Sequence, residues 1–445
     1  MLQIILITMF SIFCLSLSAQ KKTEYWDNKN LPAGQASIKS EGCYLDSIPV
    51  GNWTYWYVNG QKWSEGAYNK SGEKTGMWLY SYSNGKKWSK LFYENGIDSS
   101  WYETGQLEKY GKIKNGLMDS VWTYYHENGR LKEMTFYKEG KKNGKSITYF
   151  DNDTMEFKGM YLLDSLDGYA TWWFNTGKKE MEGKSINGLQ DSVWIYYHKN
   201  GSKGSSGKFL NGQQEGLWTY WYDTGEKWKA GSFINGKREG LWTTYYENGA
   251  KDHEGKFLNG KETGVWTSWY IDGQKATEGT FKEGRMDGLW EEWYEGGGKK
   301  YEIYYSGDAK NGSAKYWYGN GKQMYDGHYK KGMEDGAWQR WYDTGILQET
   351  GSYTDGAQDG YWIFYDNYGV KFKEQEFKKG IPDGKWVTYY ASGNKSAIGY
   401  NVDGYKTGKW MYWDESAKLI YSVTYKKGVK KKEYPKNTTE LPDKK

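Results

Sequence analysis

The sequence predicts an all-β protein, an elongated single-sheet solenoid of about sixteen stacked antiparallel β-hairpins with a 24-residue repeat. Three observations carry this prediction. The first is a tryptophan clock: Trp194, Trp218, Trp242, Trp266 and Trp290 are each 24 residues apart, and so are Trp338, Trp362, Trp386 and Trp410. Steps of 24 through the gaps land on Asp98, Trp122, Ser146, Ala170 and Ala314 in matching contexts, without insertion or deletion between 98 and 410. The second is composition. Leu, Ile, Val and Phe together make only roughly 15% of the chain, and mean hydropathy is −0.96, yet 44 Tyr, 26 Trp and 14 Phe make up 19% of 445 residues. Disordered chains lack such apolar area, so this one should fold on its rings. The third is turn chemistry. In the unit Gly216–Glu239 two aromatic-rich runs, 218–222 and 227–233, are separated by Asp223-Thr224-Gly225 and followed by Asn235-Gly236. Asn-Gly between apolar runs signals a hairpin, because the turn needs positive φ that a Cβ opposes. One hairpin is marginal alone, so stability must come from stacking on neighbours.

The elements follow in order. Met1 to Ala19 is an apolar stretch without acid or base, ending in Ser16-Leu17-Ser18-Ala19, and reads as a signal peptide too short for a membrane span. Its removal would place the chain in the periplasm, at the outer surface or outside the cell. It would also leave Cys43 without a second cysteine, so no intrachain disulfide is expected in the mature chain. Residues 20–33 read as a lead-in and 34–433 as the array. The register slips only near the start, where Trp53, Trp78 and Asp98 are spaced by 25 and then 20 residues. Two strand spacings of about 4.8 Å per repeat would bring sixteen repeats to roughly 150 Å before twist. Residues 434–445 read as a charged, disordered tail. Net charge is +5, and residues 426–445 account for all of it with eight Lys against three acids. The other 425 residues are therefore neutral overall, unlike a nucleic-acid binder, which concentrates positive charge over its working surface.

Within a unit, the ring three residues after the anchor is nearly uniform, from Trp56 and Trp101 through Trp221, Tyr245, Trp269 and Trp293 to Trp413, and only Ser81 breaks the series. A position that must fit the same way in every unit reads as packing. The rings two and four after the anchor lie on the opposite face by strand alternation and vary more. Tyr220, Tyr222, Tyr246, Tyr270 and Tyr294 are therefore the ligand-binding candidates.

Runs such as Tyr245-Tyr246-Glu247-Asn248-Gly249, then Gly255-Lys256-Phe257-Leu258-Asn259-Gly260-Lys261-Glu262-Thr263-Gly264, resemble MORN repeats, closest to the bacterial 24-residue variant in which Trp commonly follows Gly-x. The resemblance covers roughly residues 34–433. It implies elongated, twisted antiparallel sheets of stacked hairpins, scaffolding and protein interaction, and phospholipid contact. It offers no catalytic residues to carry over. Bacterial members of the family are often labelled antitoxin-like.

Chemistry has little purchase elsewhere. His126 and His198 share the phase four after the anchor and read as polar stand-ins for Tyr, about 30 Å apart at two strand spacings per hairpin. No ligand set has metal-site spacing, and no nucleophilic triad is indicated. Gly140–Ser146 misses a phosphate loop by one residue, and Asp151–Met155 departs from a calcium loop at Met155, so both read as repeat turns. The expectation is a non-enzymatic exported binding or scaffold array, without cofactor or metal, for a protein, a glycan or a phospholipid head group. The alternative is an antitoxin-like protein or a purely structural spacer whose rings are all core.

Overall fold

The structure, a computed structural model, describes residues 19–27 and 37–434. Residues 1–18 of the signal-peptide reading, residues 28–36 and the tail after Tyr434 lie outside the described residues. The chain divides into two units, Met1–Gly216 with Tyr220–Gly225, and Leu217–Thr219 with Glu226–Lys445. Both are built in the same way. The described residues contain strands and turns but no helix, and so none long and apolar enough to cross a membrane.

In each unit successive long strands pair antiparallel, and the two-residue strands Ser165–Leu166 and Met333–Glu334 pair only with the strand before them. In the C-terminal unit, Lys227–Ile234 pairs with Lys237–Tyr245, which pairs with Lys251–Leu258, which pairs with Lys261–Trp269. The turn between the first two is Asn235-Gly236, with φ of 51° and 74°. Two successive positive φ values match the right-handed twist of the flanking strands. At the other end the chain reverses through Glu247-Asn248-Gly249, and a β-bulge falls between Thr244 and Tyr245. A second positive φ recurs two residues before the anchor, at Gly240 with 68°. Ser120 and Ser192 hold the same phase at 60°.

The core is one face of the ribbon, and the anchor ring makes it. Trp78 is fully buried, Trp362 and Trp410 are 1% exposed, and Trp290 and Trp338 reach only 8%. Each anchor lies flat on a glycine directly across the ladder: Trp194 on Gly183, Trp242 on Gly231, Trp290 on Gly279, Trp410 on Gly399. A Cβ on any of these glycines would overlap the indole. The indole Nε1 then donates to the carbonyl just after the glycine, as from Trp242 to Ser232 (3.1 Å) and from Trp362 to Ser352 (3.0 Å). The ring two residues after the glycine stands edge-on to the anchor, with Phe233–Trp242, Phe257–Trp266 and Phe281–Trp290 at 5.0–5.1 Å. It also reaches the anchor one repeat back, as in Trp242–Phe257 at 6.1 Å. T-shaped contacts therefore run from repeat to repeat, and rings replace the missing aliphatics.

Where the anchor is not Trp, the opposite position changes with it. Ser146 faces Thr135, and their hydroxyls share a hydrogen bond. Ala314 faces Ile303. Gln375 replaces the glycine opposite Trp386, and that ring is only half-buried. At Ala170 the glycine is kept, but Phe157 folds over Gly159 and Trp172 packs on Phe157 at 5.0 Å.

Three expectations change, at the two ends of the chain and on the faces. The lead-in contains a strand, Gln20–Tyr25, paired with Ile38–Leu45, so the sheet begins before residue 34. At the other end Tyr434 still belongs to the last strand, Val429–Tyr434. Cys43 is buried and disulfide-bonded in the full-length chain; the expectation of no disulfide is for the chain after removal of residues 1–19. Cys14, the other cysteine, lies outside the described residues. The ring three after the anchor is not the buried core: Tyr245, Trp269, Trp293, Trp317 and Trp341 are all only half-buried. Uniformity came from repetition of the whole unit, and burial came from the glycine opposite the anchor.

Candidate functional site

The tyrosines four after the anchor form a ladder along the turn edge. The Tyr246 hydroxyl donates to the Trp269 carbonyl (2.8 Å), Tyr270 to Trp293 (2.7 Å) and Tyr294 to Trp317 (2.9 Å). The series continues from Tyr318 to Trp341 and from Tyr342 to Tyr365. His126 and His198 take the same place, with Nε2 at 2.9 and 3.0 Å from the Tyr149 and Trp221 carbonyls. Tyr222 is half-buried at this phase, and Tyr220, two after its anchor, accepts from Gln214 Nε2 at 3.3 Å. Of the five candidates, the structure brings Tyr270 and Tyr294 together. They line an open hollow of about 790 Å³ with Glu295, Gly296, Gly298 and Asn320, where the turn is Gly-Gly-Gly in place of Asn-Gly.

Turn asparagines make a second ladder. Asn200 Oδ1 accepts from Ser202 N (2.9 Å), and its Nδ2 donates to the Asp223 carbonyl one turn on (2.7 Å). Asn128, Asn152 and Asn320 repeat the step. Asp272, at the asparagine place, accepts from its own turn, but a carboxylate has no donor for the next one. The phosphate-loop and calcium-loop look-alikes belong to this framework. Ser146 is buried in the strand Lys141–Tyr149, and Asn152 is one of the laddered turn residues.

The face opposite the anchors carries the half-buried rings three after them, interleaved with Lys and Glu. Lys251 lies over Trp269 (5.5 Å) and Lys275 over Trp293 (5.2 Å). Each of these lysines also pairs with the glutamate three residues on, Glu254 at 2.9 Å and Glu278 at 3.0 Å. The Thr243 hydroxyl donates to Glu254, and the Lys251 ammonium beside it helps hold that carboxyl below its usual pKa against desolvation, which pushes the other way.

On the anchor face of the C-terminal unit there is a cleft of about 430 Å³, lined by Tyr316, Tyr325, Tyr329, Tyr353, Glu334 and Arg340, with Glu349, Trp338 and Trp362 completing it. Arg340 lies across the ladder from Glu349, yet their closest approach is 3.9 Å. Its guanidinium sits over the Tyr325 ring (5.2 Å). Arg340 Nε is buried with no hydrogen-bond partner. Burial pushes the Glu349 carboxyl above the ordinary glutamate pKa, and the Arg340 charge offsets this only in part. Burial also raises the phenol pKa of Tyr329 and Tyr353.

A family model described as the MORN repeat variant matches residues 118–139, 238–259 and 334–355. Each match begins four residues before an anchor ring, at Trp122, Trp242 and Trp338, and the starts are 120 and 96 residues apart, five and four periods of 24. The chain carries variant MORN repeats. No curated protein matches it in sequence. Among solved structures, chains of a TcdB2-TccC3-Cdc42 crystal structure and of a Photorhabdus luminescens Tc holotoxin pore align with 92% and 88% of this chain at 11% and 10% identity, both at a TM-score of 0.15. This chain spans about a quarter of their length, 23% and 25%. Likeness at that score says nothing about the fold or role of this chain.

Set against the MORN unit, the cleft is a local departure. Its third matched segment, 334–355, holds Arg340 and Glu349 in phases that elsewhere in the unit carry pairs such as Thr244 with His253, Ser268 with Thr277 and Phe364 with Lys373. Sequence reasoning found no cluster of titratable groups and missed this one. The signal was present: an arginine two after its anchor and a glutamate thirteen before the next. One repeat earlier, Ala314 interrupts the anchor series.

Proposed function

We propose that the chain is a non-enzymatic binding array, exported to the cell envelope or beyond, that holds an extended partner along its ring-lined face. The observation that carries this reading is the row of partly buried rings, none fully enclosed, from Tyr245 through Trp269, Trp293, Trp317 and Trp341 to Trp413. The protein's own core does not use them, because the anchor face supplies that core. Rings on rigid strands give contact area at low entropy cost, and the lysines laid over them leave cations at the same surface. A protein segment, a glycan strand or an anionic head group would each find complementary chemistry there. A purely structural spacer would have these rings covered.

The test is affinity capture from envelope extract with the array lacking residues 1–19, compared with the triple variant W269A/W293A/W317A. The proposal expects a defined partner on the parent array, lost from the variant, while the variant keeps the parent circular dichroism spectrum. Equal retention by a folded variant would move the binding surface elsewhere.

A further inference from the structure

We infer that the cleft around Arg340 and Glu349 is a separate binding site for one or two pyranose rings of an uncharged sugar. It stands independently of the partner proposed for the ring-lined face, because the cleft opens on the anchor face. Four arguments converge on this ligand class.

The first is space. At about 430 Å³ the cleft lies within the small-ligand range of roughly 300–1,000 Å³ and at its lower end. The second is the wall. Tyr316, Tyr325, Tyr329 and Tyr353 line the cleft half-buried, which makes an aromatic surface for the C–H face of a sugar.

The third is the polar edge. A cross-strand ion pair serving stability would close to hydrogen-bond distance, because a guanidinium matches a carboxylate in a forked geometry. Here the pair stands at 3.9 Å, and Arg340 Nε, the one such atom among the described residues, is buried without a partner. A buried unsatisfied donor costs stability. A hydroxyl between Arg340 and Glu349 would accept from Nε and donate to the carboxylate, relieving both at once. Sugars present adjacent hydroxyls able to do this.

The fourth is charge. One guanidinium faces two carboxylates, Glu334 and Glu349, in the same cleft. A phosphate, sulfate or uronate would meet the two carboxylates with only one guanidinium to offset them. An uncharged ligand with an apolar face and a hydroxyl edge avoids that penalty. In the same row Ser268 and Thr277, also facing across the ladder, satisfy one another at 2.6 Å.

The experiment uses the full chain with cellobiose, maltose and N,N′-diacetylchitobiose as probes, read by saturation-transfer NMR and by quenching of tryptophan fluorescence. At least one disaccharide should bind in the micromolar to millimolar range. Arg340→Met should weaken it by about tenfold or more, the usual effect of losing a hydrogen bond to a charged group. Glu349→Gln is nearly isosteric and keeps the fold testable if Arg340→Met does not; it should weaken binding severalfold. W269A/W293A/W317A should bind the disaccharide as the parent does, which separates this site from the ring-lined face. No saturation transfer from any of the three sugars, or affinity unchanged in both Arg340→Met and Glu349→Gln, would overturn the proposal. So would preferential binding of glucose 6-phosphate or adenosine.

Discussion

At the residue scale the protein rests on one cross-strand pair, an indole over a glycine. Gly231 has no positive φ and thus needs no special backbone freedom; what excludes a side chain there is the Trp242 ring. This predicts a strong coupling. Trp242→Ala should cost about 3–5 kcal/mol, the usual range for an emptied aromatic site. Gly231→Ala should cost about 1–3 kcal/mol by overpacking. In the Trp242→Ala background the same Gly231→Ala change should cost almost nothing or stabilise, because the ring it meets is gone. Denaturant melts of the four proteins measure the cycle, and additive costs would refute the lock. The chain has already made such paired changes at Thr135 with Ser146 and at Ile303 with Ala314. Glu349 gives a second prediction at this scale. Its folded pKa is raised by burial, so its ionisation opposes folding: the neutral form's stability is complete below the ordinary value near 4.3 and is lost as pH rises through the higher folded value. Glu349→Gln should therefore melt higher than the parent at pH 7, with the gain disappearing toward pH 4. A gain independent of pH would show that packing, not charge, is responsible.

At the element scale each hairpin is tied to the next by side chains that reach across a repeat. The tyrosine hydroxyl four after the anchor and the turn asparagine amide each bond a carbonyl one unit on. Tyr246→Phe removes one such bond and should cost about 1 kcal/mol, leaving the Trp269 carbonyl short of a donor. Tyr246→His should recover much of that, because His126 and His198 already fill this place. Thermal melts of the two variants decide, and equal losses would mean the ladder bond contributes nothing. The candidate ligand tyrosines are thus joined to the framework through their hydroxyls, whatever their ring faces touch.

At the scale of the whole molecule, the described strands pair with sequence neighbours or just past a two-residue strand, so stability should be a sum of repeat and neighbour terms. In the C-terminal unit, Trp362→Ala should lower amide exchange protection in Leu347–Thr354, Ala357–Tyr365 and Lys371–Lys378, while Lys251–Leu258 keeps the parent rate. Uniform loss of protection through the unit would show that it unfolds as one cooperative block.

The sequence by itself determined the all-β class, the 24-residue register, the Asn-Gly hairpin turns and the equivalence of His126 and His198 with tyrosine. These follow from local chemistry: turn φ values, strand alternation and exact repetition. Only the tertiary structure decided which ring is core. Periodicity marks the anchor and the ring three after it equally, and the choice between them depends on a glycine eleven or twelve residues earlier in chain but directly opposite in the sheet, as Gly231 is to Trp242. The cleft was hidden for the same reason. Arg340 and Glu349 are nine residues apart, with a turn between them, and they read as two unremarkable charges until pairing of the strands Gly336–Trp341 and Leu347–Thr354 sets them side by side over Trp338. A period gives the spacing along the chain, and cross-strand register decides which side chains share a space.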